Sequence, residues 1–258
     1  MAGEYIWYEL LTPDAAAAKT FYGAVVGWSI DAPPDGYGHI AASDGNMVGG
    51  VFQLSGEMQA SGARPAWLGY LNVDDVDAAV AAIVADGGQV RMPATSMENV
   101  GRIAMVSDPQ GAPFYVMKPT PPPEKPDAKS TAFAPMDAQH VRWNELMTDD
   151  PEAAIAFYRK HFGWTQEGDM DMGPMGKYRF IQHDGVGIGA VMKRPAEMPV
   201  SVWAYYIGVD DIDRAAQAIA AGGGQVINGP MEIPGGEFAL NGIDPQGAAF
   251  GLVGPRQA

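Results

Sequence analysis

The sequence predicts an α+β fold built from four βαβββ modules, arranged as two domains in tandem. Three observations carry this expectation. The first is a repeat: blocks of residues return 136 positions later. Trp7-x-Glu9-Leu10 recurs as Trp143-x-Glu145-Leu146, Phe21-Tyr22 as Phe157-Tyr158, and Gly27-Trp28 as Gly163-Trp164. Val73-Asp-Asp-Val-Asp77 recurs as Val209-Asp-Asp-Ile-Asp213, and Asp108-Pro-Gln-Gly-Ala112 as Asp244-Pro-Gln-Gly-Ala248. Self-similarity at one fixed distance marks a duplicated architecture. The second is that the order strand, helix, three strands runs twice inside each copy. The third is the segment Pro119-Thr-Pro-Pro-Pro-Glu-Lys-Pro126 between the copies, whose proline content favours an extended, semi-rigid chain. The expected domains are residues 4–118 and 140–254, with a Pro-rich linker over 119–139.

Residues 4–12 alternate as a half-buried strand does. Thr12-Pro13-Asp14 then starts a helix, with a capping hydroxyl and a proline at the first position. Phe21, Val25 and Val26 give it helical apolar spacing, and Gly27 stops it. Short β-like runs follow at 28–32, 38–43 and 47–54. The order then restarts with a strand over 67–73 and a helix opened by Asp74 or Asp75, carrying Val76, Val80 and Ile83 on one face. Gly87-Gly88 ends it, and strands follow near 89–92, 101–107 and 113–118. Asp108-Pro109-Gln110-Gly111 suits a type I turn between the last two, with Asp first, Pro second and Gly fourth. The second copy repeats this order. Its register slips once, because Val48-Gly49 aligns with Ile188-Gly189 at a distance of 140, which places an insertion near 169–176.

Composition narrows the function classes. The 31 acidic against 16 basic residues give a net charge of −15, opposite in sign to what a phosphate-backbone binder needs. Cysteine is absent, which removes disulfides, thiolate chemistry and Cys-ligated zinc. Only His39, His140, His161 and His183 remain as imidazole ligands. No apolar run is long enough to span a membrane, and the beginning of the chain lacks a basic region followed by an apolar run, so the expected location is cytoplasmic.

The paired modules, with Phe-Tyr and Gly-Trp at the end of the first helix and Asp-Pro-x-Gly before the last strand, resemble the vicinal oxygen chelate superfamily. That group includes glyoxalase I, extradiol dioxygenases, bleomycin-resistance proteins and fosfomycin-resistance enzymes. Trp7-x-Glu9-Leu10-x-Thr12 together with Gly101-Arg102-Ile103-Ala104 resembles a two-domain bacterial branch of it, glyoxalase-like or hydroxylase-like. The resemblance implies a tandem duplicated vicinal-oxygen-chelate fold, in which paired modules form a U-shaped sheet around a cleft. It also implies ligand positions for a metal on the first and last strands. Here those positions fall on Trp7, Leu68 and Tyr115 in the first copy and on Trp143, Ala204 and Gly251 in the second. Trp, Leu, Ala and Gly side chains cannot hold a metal ion, so neither a metal site nor a cofactor is expected.

Strand alternation puts Trp7, Glu9 and Leu11 on one face, repeated by Trp143, Glu145 and Met147. The resemblance makes this the cleft side, and adds Tyr70, Asn72, Tyr115 and Tyr206. An aromatic pocket with one carboxylate suits a small organic molecule. Glu9 and Glu145 are the candidate catalytic residues, since desolvation of a carboxylate favours acid or base work. Each also has a plain structural reading, as acceptor for a Tyr or Trp hydrogen bond. Arg102 is a candidate anchor for an anionic ligand, with Phe238 at the matching place in the second copy. Asp108 and Asp244 read as turn residues. His39, matched to Arg179, reads as a solvated strand residue, His161 as a helix-end residue, and His183 as an exposed residue before the Asp184-Gly185 turn. The Met-rich insertion Asp169-Met-Asp-Met-Gly-Pro-Met-Gly176 reads either as a lid or as an ordinary surface loop.

Three functions remain in competition: a metal-independent binder of a small organic molecule, aromatic or otherwise; an enzyme of lyase, dioxygenase or hydroxylase type using cleft carboxylates or an unmapped metal site; and a structural duplication without ligand. Nucleic acid and membrane are not expected as partners, and the sequence does not set the oligomeric state.

Overall fold

The computed structural model describes residues 2–31, 37–121, 123–124 and 128–257. The last residue of the strand expected at 28–32 and residues 122 and 125–127 of the expected linker lie outside the described residues. In the first copy the order is β1 (Tyr5–Thr12), α1 (Ala15–Val25), β2 (Ser29–Ile30), β3 (Tyr37–Ala41), β4 (Met47–Gln53), α2 (Gly56–Ala60), β5 (Ala66–Asn72), α3 (Val76–Ala85), β6 (Gln89–Met97), β7 (Gly101–Ser107) and β8 (Pro113–Pro119). The second copy continues with β9 (Val141–Thr148), α4 (Pro151–Phe162), β10 (Thr165–Asp171), β11 (Lys177–His183), β12 (Val186–Lys193), β13 (Val202–Gly208), α5 (Ile212–Ala221), β14 (Gln225–Glu232), β15 (Phe238–Ile243) and β16 (Ala249–Gly254).

The strands form two mixed eight-stranded sheets, ordered β2-β3-β4-β1-β5-β8-β7-β6 and β10-β11-β12-β9-β13-β16-β15-β14. This is the α+β, duplicated βαβββ architecture the repeat predicts. β1 lies parallel to β4, and β9 to β12. Parallel neighbours need a crossover, which α1 and α4 begin.

Each long helix opens on an aspartate that accepts a backbone N–H of the first turn. Asp14 accepts from Ala17, Asp75 from Ala78, Asp150 from Ala153, and Asp211 from Asp213 and Arg214. Asp14, rather than Thr12, therefore caps α1. The Thr12 hydroxyl instead accepts the Asp14 N–H, and Pro13 stands outside the helix. In the second copy the proline does sit inside, as Pro151. α1 buries Ala15, Ala18, Phe21, Tyr22 and Val25, a stripe of helical period facing the sheet. The short α2, capped by Ser55, was not expected. Its burial is nil, so no apolar periodicity announces it.

The chain divides into two compact units that do not follow the copies. One holds residues 1–6, 69–130 and 144–203; the other holds 7–68, 131–143 and 204–258. Each unit thus takes one module from each copy.

The repeated motifs explain this pairing inside each unit. In the second unit, the Trp67 indole N–H donates to the Tyr22 hydroxyl at 2.9 Å, and that hydroxyl donates to Asp244 at 3.1 Å. In the first unit, Trp203 donates to Tyr158 at 2.9 Å, and Tyr158 donates to Asp108 at 3.2 Å. The other oxygen of each aspartate accepts two amides of its own turn, from Gln110 and Ala112 or from Gln246 and Ala248. Burial pushes both carboxyls above the usual aspartate value, and burial also holds the Tyr22 phenol well above its ordinary range. Asp108 and Asp244 are turn residues, as expected, and in addition tie a module of one copy to a module of the other.

Two histidine expectations change. His183 is buried, with Nε2 against the Ala2 carbonyl at 3.0 Å, because the first residues of the chain pack over it. Pairing also shows that the counterpart of His39 is Phe180, not Arg179. His39 stands opposite Gly50, itself opposite Glu9, while Phe180 stands opposite Ala190, itself opposite Glu145. The insertion at 169–176 is partly regular: β10 runs through Asp171 against β11, and a 3-10 turn at Gly173–Met175 closes the hairpin.

Candidate functional site

In the second unit, the face of β1, β4 and β3 opposite the helices carries Trp7, Glu9, Tyr37 and His39. Glu9, Gly50 and His39 form one row across the three strands. Glu9 is buried at 4% exposure, whereas His39 is half exposed beside Asp31. The Trp7 indole N–H donates to the Tyr37 hydroxyl at 2.9 Å. Tyr37 reaches it by lying flat over Gly50: a Cβ on Gly50 would stand 2.2 Å from the phenol oxygen. The His39 ring packs edge-on against both Tyr37 and Trp7.

In the first unit, the matching face of β9, β12 and β11 carries Glu145, Tyr178 and Phe180. Glu145, Ala190 and Phe180 form the equivalent row. Glu145 is buried at 8% exposure, and its Oε2 accepts the Tyr178 hydroxyl at 2.7 Å. Phe180 meets Tyr178 edge-to-face, with ring centroids 5.9 Å apart. Trp143 and Trp7 are half-buried in their respective strands.

The second modules supply aromatic rings. Tyr70 and Tyr115 are paired across β5 and β8 and stack at 4.2 Å with 13° between planes, in the first unit. Asn72 lies two residues on and pairs through its backbone with Gly3 and Glu4. In the second unit the corresponding pair is Tyr206 and Gly251. There the Tyr206 ring takes the space a side chain on Gly251 would need, since a Cβ would come 2.5 Å from it. Asn241 donates its amide to the Tyr206 hydroxyl at 2.9 Å.

Arg102 is engaged elsewhere. It makes a two-point contact with Asp77 at 2.7 and 2.6 Å and donates to Ser96. In the second copy, where Phe238 replaces it, Arg256 pairs with Asp213 and covers the Phe238 ring at 4.2 Å. The guanidinium therefore has the same carboxylate partner in both copies, which makes Arg102 a clamp between α3 and β7. Of the residues singled out from the sequence, the structure places Trp7 and Glu9 on one face, and stacks Tyr70 on Tyr115. Tyr37, Tyr178, Phe180 and Asn241 were missed. The signal for the tyrosines was present: pairing aligns Tyr37 with Tyr178, one residue away from the alignment the neighbouring glycines suggest.

The sequence matches the Glyoxalase/Bleomycin resistance protein/Dioxygenase superfamily over residues 5–116 and 138–252. The chain belongs to this superfamily. It is 35% identical over 254 residues to CFP32 of Mycobacterium tuberculosis (strain CDC 1551 / Oshkosh), which carries a provisional glyoxylase name, covering 96% of this chain and 94% of that protein. It is 29% identical over 269 residues to the anthracycline biosynthesis protein DauV of Streptomyces sp. (strain C5), covering 99% of this chain and 94% of that protein. The Mn(II)-bound glyoxalase of Novosphingobium aromaticivorans shares the fold, with a TM-score of 0.66 at 17% identity, covering 99% of this chain and 83% of that one.

A metal of that kind does not fit the residues present. Among the described residues, no three of His, Asp and Glu gather into a group able to hold an ion. The last-strand positions where the superfamily resemblance puts a carboxylate carry a stacked phenol, Tyr115, and a glycine overlaid by Tyr206. An indole, a phenol and aliphatic groups make a poor donor set for a divalent cation.

Proposed function

We propose that this chain binds a small, planar organic molecule on its acid- and tyrosine-bearing sheet faces, and holds it through side chains rather than through a metal ion. The observation that carries this is the replacement of last-strand donors by buried phenol rings: Tyr115 stacked on Tyr70, and Tyr206 held over Gly251. Phenol rings offer flat apolar area with a polar edge, which suits an aromatic ligand. The relation to an anthracycline biosynthesis protein favours a fused aromatic ligand of polyketide type. The buried carboxylates supply the polar handle for a hydroxyl of that ligand.

The test is a fluorescence titration of EDTA-treated protein with an anthracycline aglycone, paired with native mass spectrometry. Saturable binding without metal is expected, and Tyr115→Ala should weaken it by roughly 2- to 10-fold, the worth of one aromatic contact. Binding that appears only after stoichiometric manganese or zinc is restored would overturn this reading in favour of a metal-dependent enzyme.

A further inference from the structure

The Met-rich insertion of the second copy is strand-paired, and its register decides which face each side chain takes. The hairpin of β10 and β11 is five residues longer than that of β2 and β3, since Thr165 pairs with Gln182 where Ser29 pairs with Ala41. A bulge interrupts it. Gln166 stands opposite Ile181, but Asp169 stands opposite Arg179, so β10 carries one residue more than β11 over this stretch. Gly168 supplies left-handed backbone there, at φ +79°. The Gln182 side chain holds the bulge, accepting the Glu167 N–H at 2.9 Å and donating to the Glu167 carbonyl at 3.0 Å. Beyond it Met170 stands directly opposite Tyr178, while Asp169 and Asp171 stand opposite Arg179 and Lys177. Residues directly opposite share a face of the sheet. Arg179 pairs with Glu152 of α4, and Lys177 with Asp169, so the charged face is the helix side. Met170 therefore lies on the face of Tyr178, Phe180 and Glu145. Without the extra residue Asp169 would stand opposite Tyr178, and Met170 would turn to the helix side.

We propose that Met170 is a specificity-determining residue of the first unit's binding face, and that the bulged hairpin widens this face for a planar aromatic ligand of three or more fused rings. This rests on the ligand-binding reading above. β10 is the outermost strand of its sheet, and β9, which carries Glu145, lies three strands away. Neighbouring strands lie about 4.8 Å apart, and a single ring covers roughly one such spacing. Only a fused system reaches from the middle of the sheet to its edge. What it meets there is set by the bulge. A carboxylate at that place would lose water to an apolar ring without compensation. A thioether instead offers polarizable apolar surface that adapts to a ring.

The probes are 1,8-dihydroxyanthraquinone, with three fused rings, and resorcinol, with one. Each is titrated into protein carrying ¹³C-methyl methionine, and native mass spectrometry reports the complex. The Met170 methyl resonance, assigned through Met170→Leu, is expected to move upfield with the tricycle and to stay in place with resorcinol at matched occupancy. Met170→Ala should weaken the tricycle roughly 2- to 10-fold, the worth of one thioether–aromatic contact, and leave resorcinol within about twofold. Deleting Gly168 removes the bulge and should abolish the methyl response. Absence of a complex with either probe would overturn the binding reading and this inference together. Binding of resorcinol alone, a tricycle complex in which the Met170 methyl does not move, or a tricycle affinity unchanged in Met170→Ala would overturn this inference alone. So would a methyl that answers equally to both probes. A response that survives the deletion of Gly168 in folded protein would overturn the role of the bulge.

Discussion

Tyr158 shows how much one hydroxyl holds. It accepts from Trp203 and donates to Asp108, all three side chains being buried. Tyr158→Phe leaves an indole N–H and a carboxylate oxygen without that partner. The expected cost is roughly 2–5 kcal/mol, read from urea unfolding. The cost should also depend on pH. Burial already raises the Asp108 carboxyl, and the Tyr158 hydroxyl partly offsets this. A carboxyl raised on folding binds its proton more tightly in the folded state, so its contribution to stability falls as pH rises through the folded pKa. Removing the hydroxyl raises that pKa further. The deficit of Tyr158→Phe should therefore be largest near neutrality and shrink as the pH is lowered toward 4. A deficit that is constant between those limits would show that Asp108 is not the group involved. The sequence displayed all of these residues as repeats. It did not display the bonds, because Tyr22 and Asp244 stand 222 positions apart and a repeat reports equivalence, not contact.

At the scale of elements, the helices were legible because their signals are local. Asp at the cap, apolar spacing of 3 and 4, and Gly after the last turn all lie within a dozen residues. Each cap is a carboxylate on backbone N–H groups, and Asp211→Ala should cost about 1 kcal/mol, measured as a lower urea midpoint with an unchanged slope. Strands were legible in order but less so in extent. β6 runs to Met97, well past the expected end near residue 92, because its outer residues are exposed and show no alternation. The hairpin of β10 and β11 was harder still. It lengthens the second copy by five residues before β11, so Tyr178 lies 141 positions after Tyr37, and the turn from β11 into β12 is one residue shorter than that from β3 into β4, so Ala190 lies 140 after Gly50. Alignment on the flanking glycines, which carry the distance of 140, therefore misplaces β11 by one residue. One residue in a strand exchanges its faces. That is why Arg179 was matched to His39, and why both tyrosines of the candidate site escaped notice.

At the scale of the whole molecule, the repeat revealed four modules but not their partners. Pairing is set by buried contacts such as Tyr22–Asp244 and Tyr158–Asp108, which no local pattern encodes. A prediction follows for the separated halves. Residues 1–121 alone lack the module that completes either compact unit. Expressed by themselves they should not unfold cooperatively as a monomer, whereas coexpression with residues 128–258 should yield a complex that copurifies. A stable monomeric half, seen by sedimentation and a sharp thermal transition, would contradict the assignment of the units.

The interleaved modules give the segment between the copies a kinetic task. A chain that had only one copy would need to find a second molecule before its Tyr and Asp could meet, at a rate proportional to its concentration. Joined in one polypeptide, the same encounter becomes unimolecular, at an effective concentration set by the length and stiffness of the connecting segment. Assembly of the buried Trp–Tyr–Asp chains is then independent of how much protein the cell makes. The two copies are also released from being identical, and that freedom is what allows a glycine in one row and an alanine in the other.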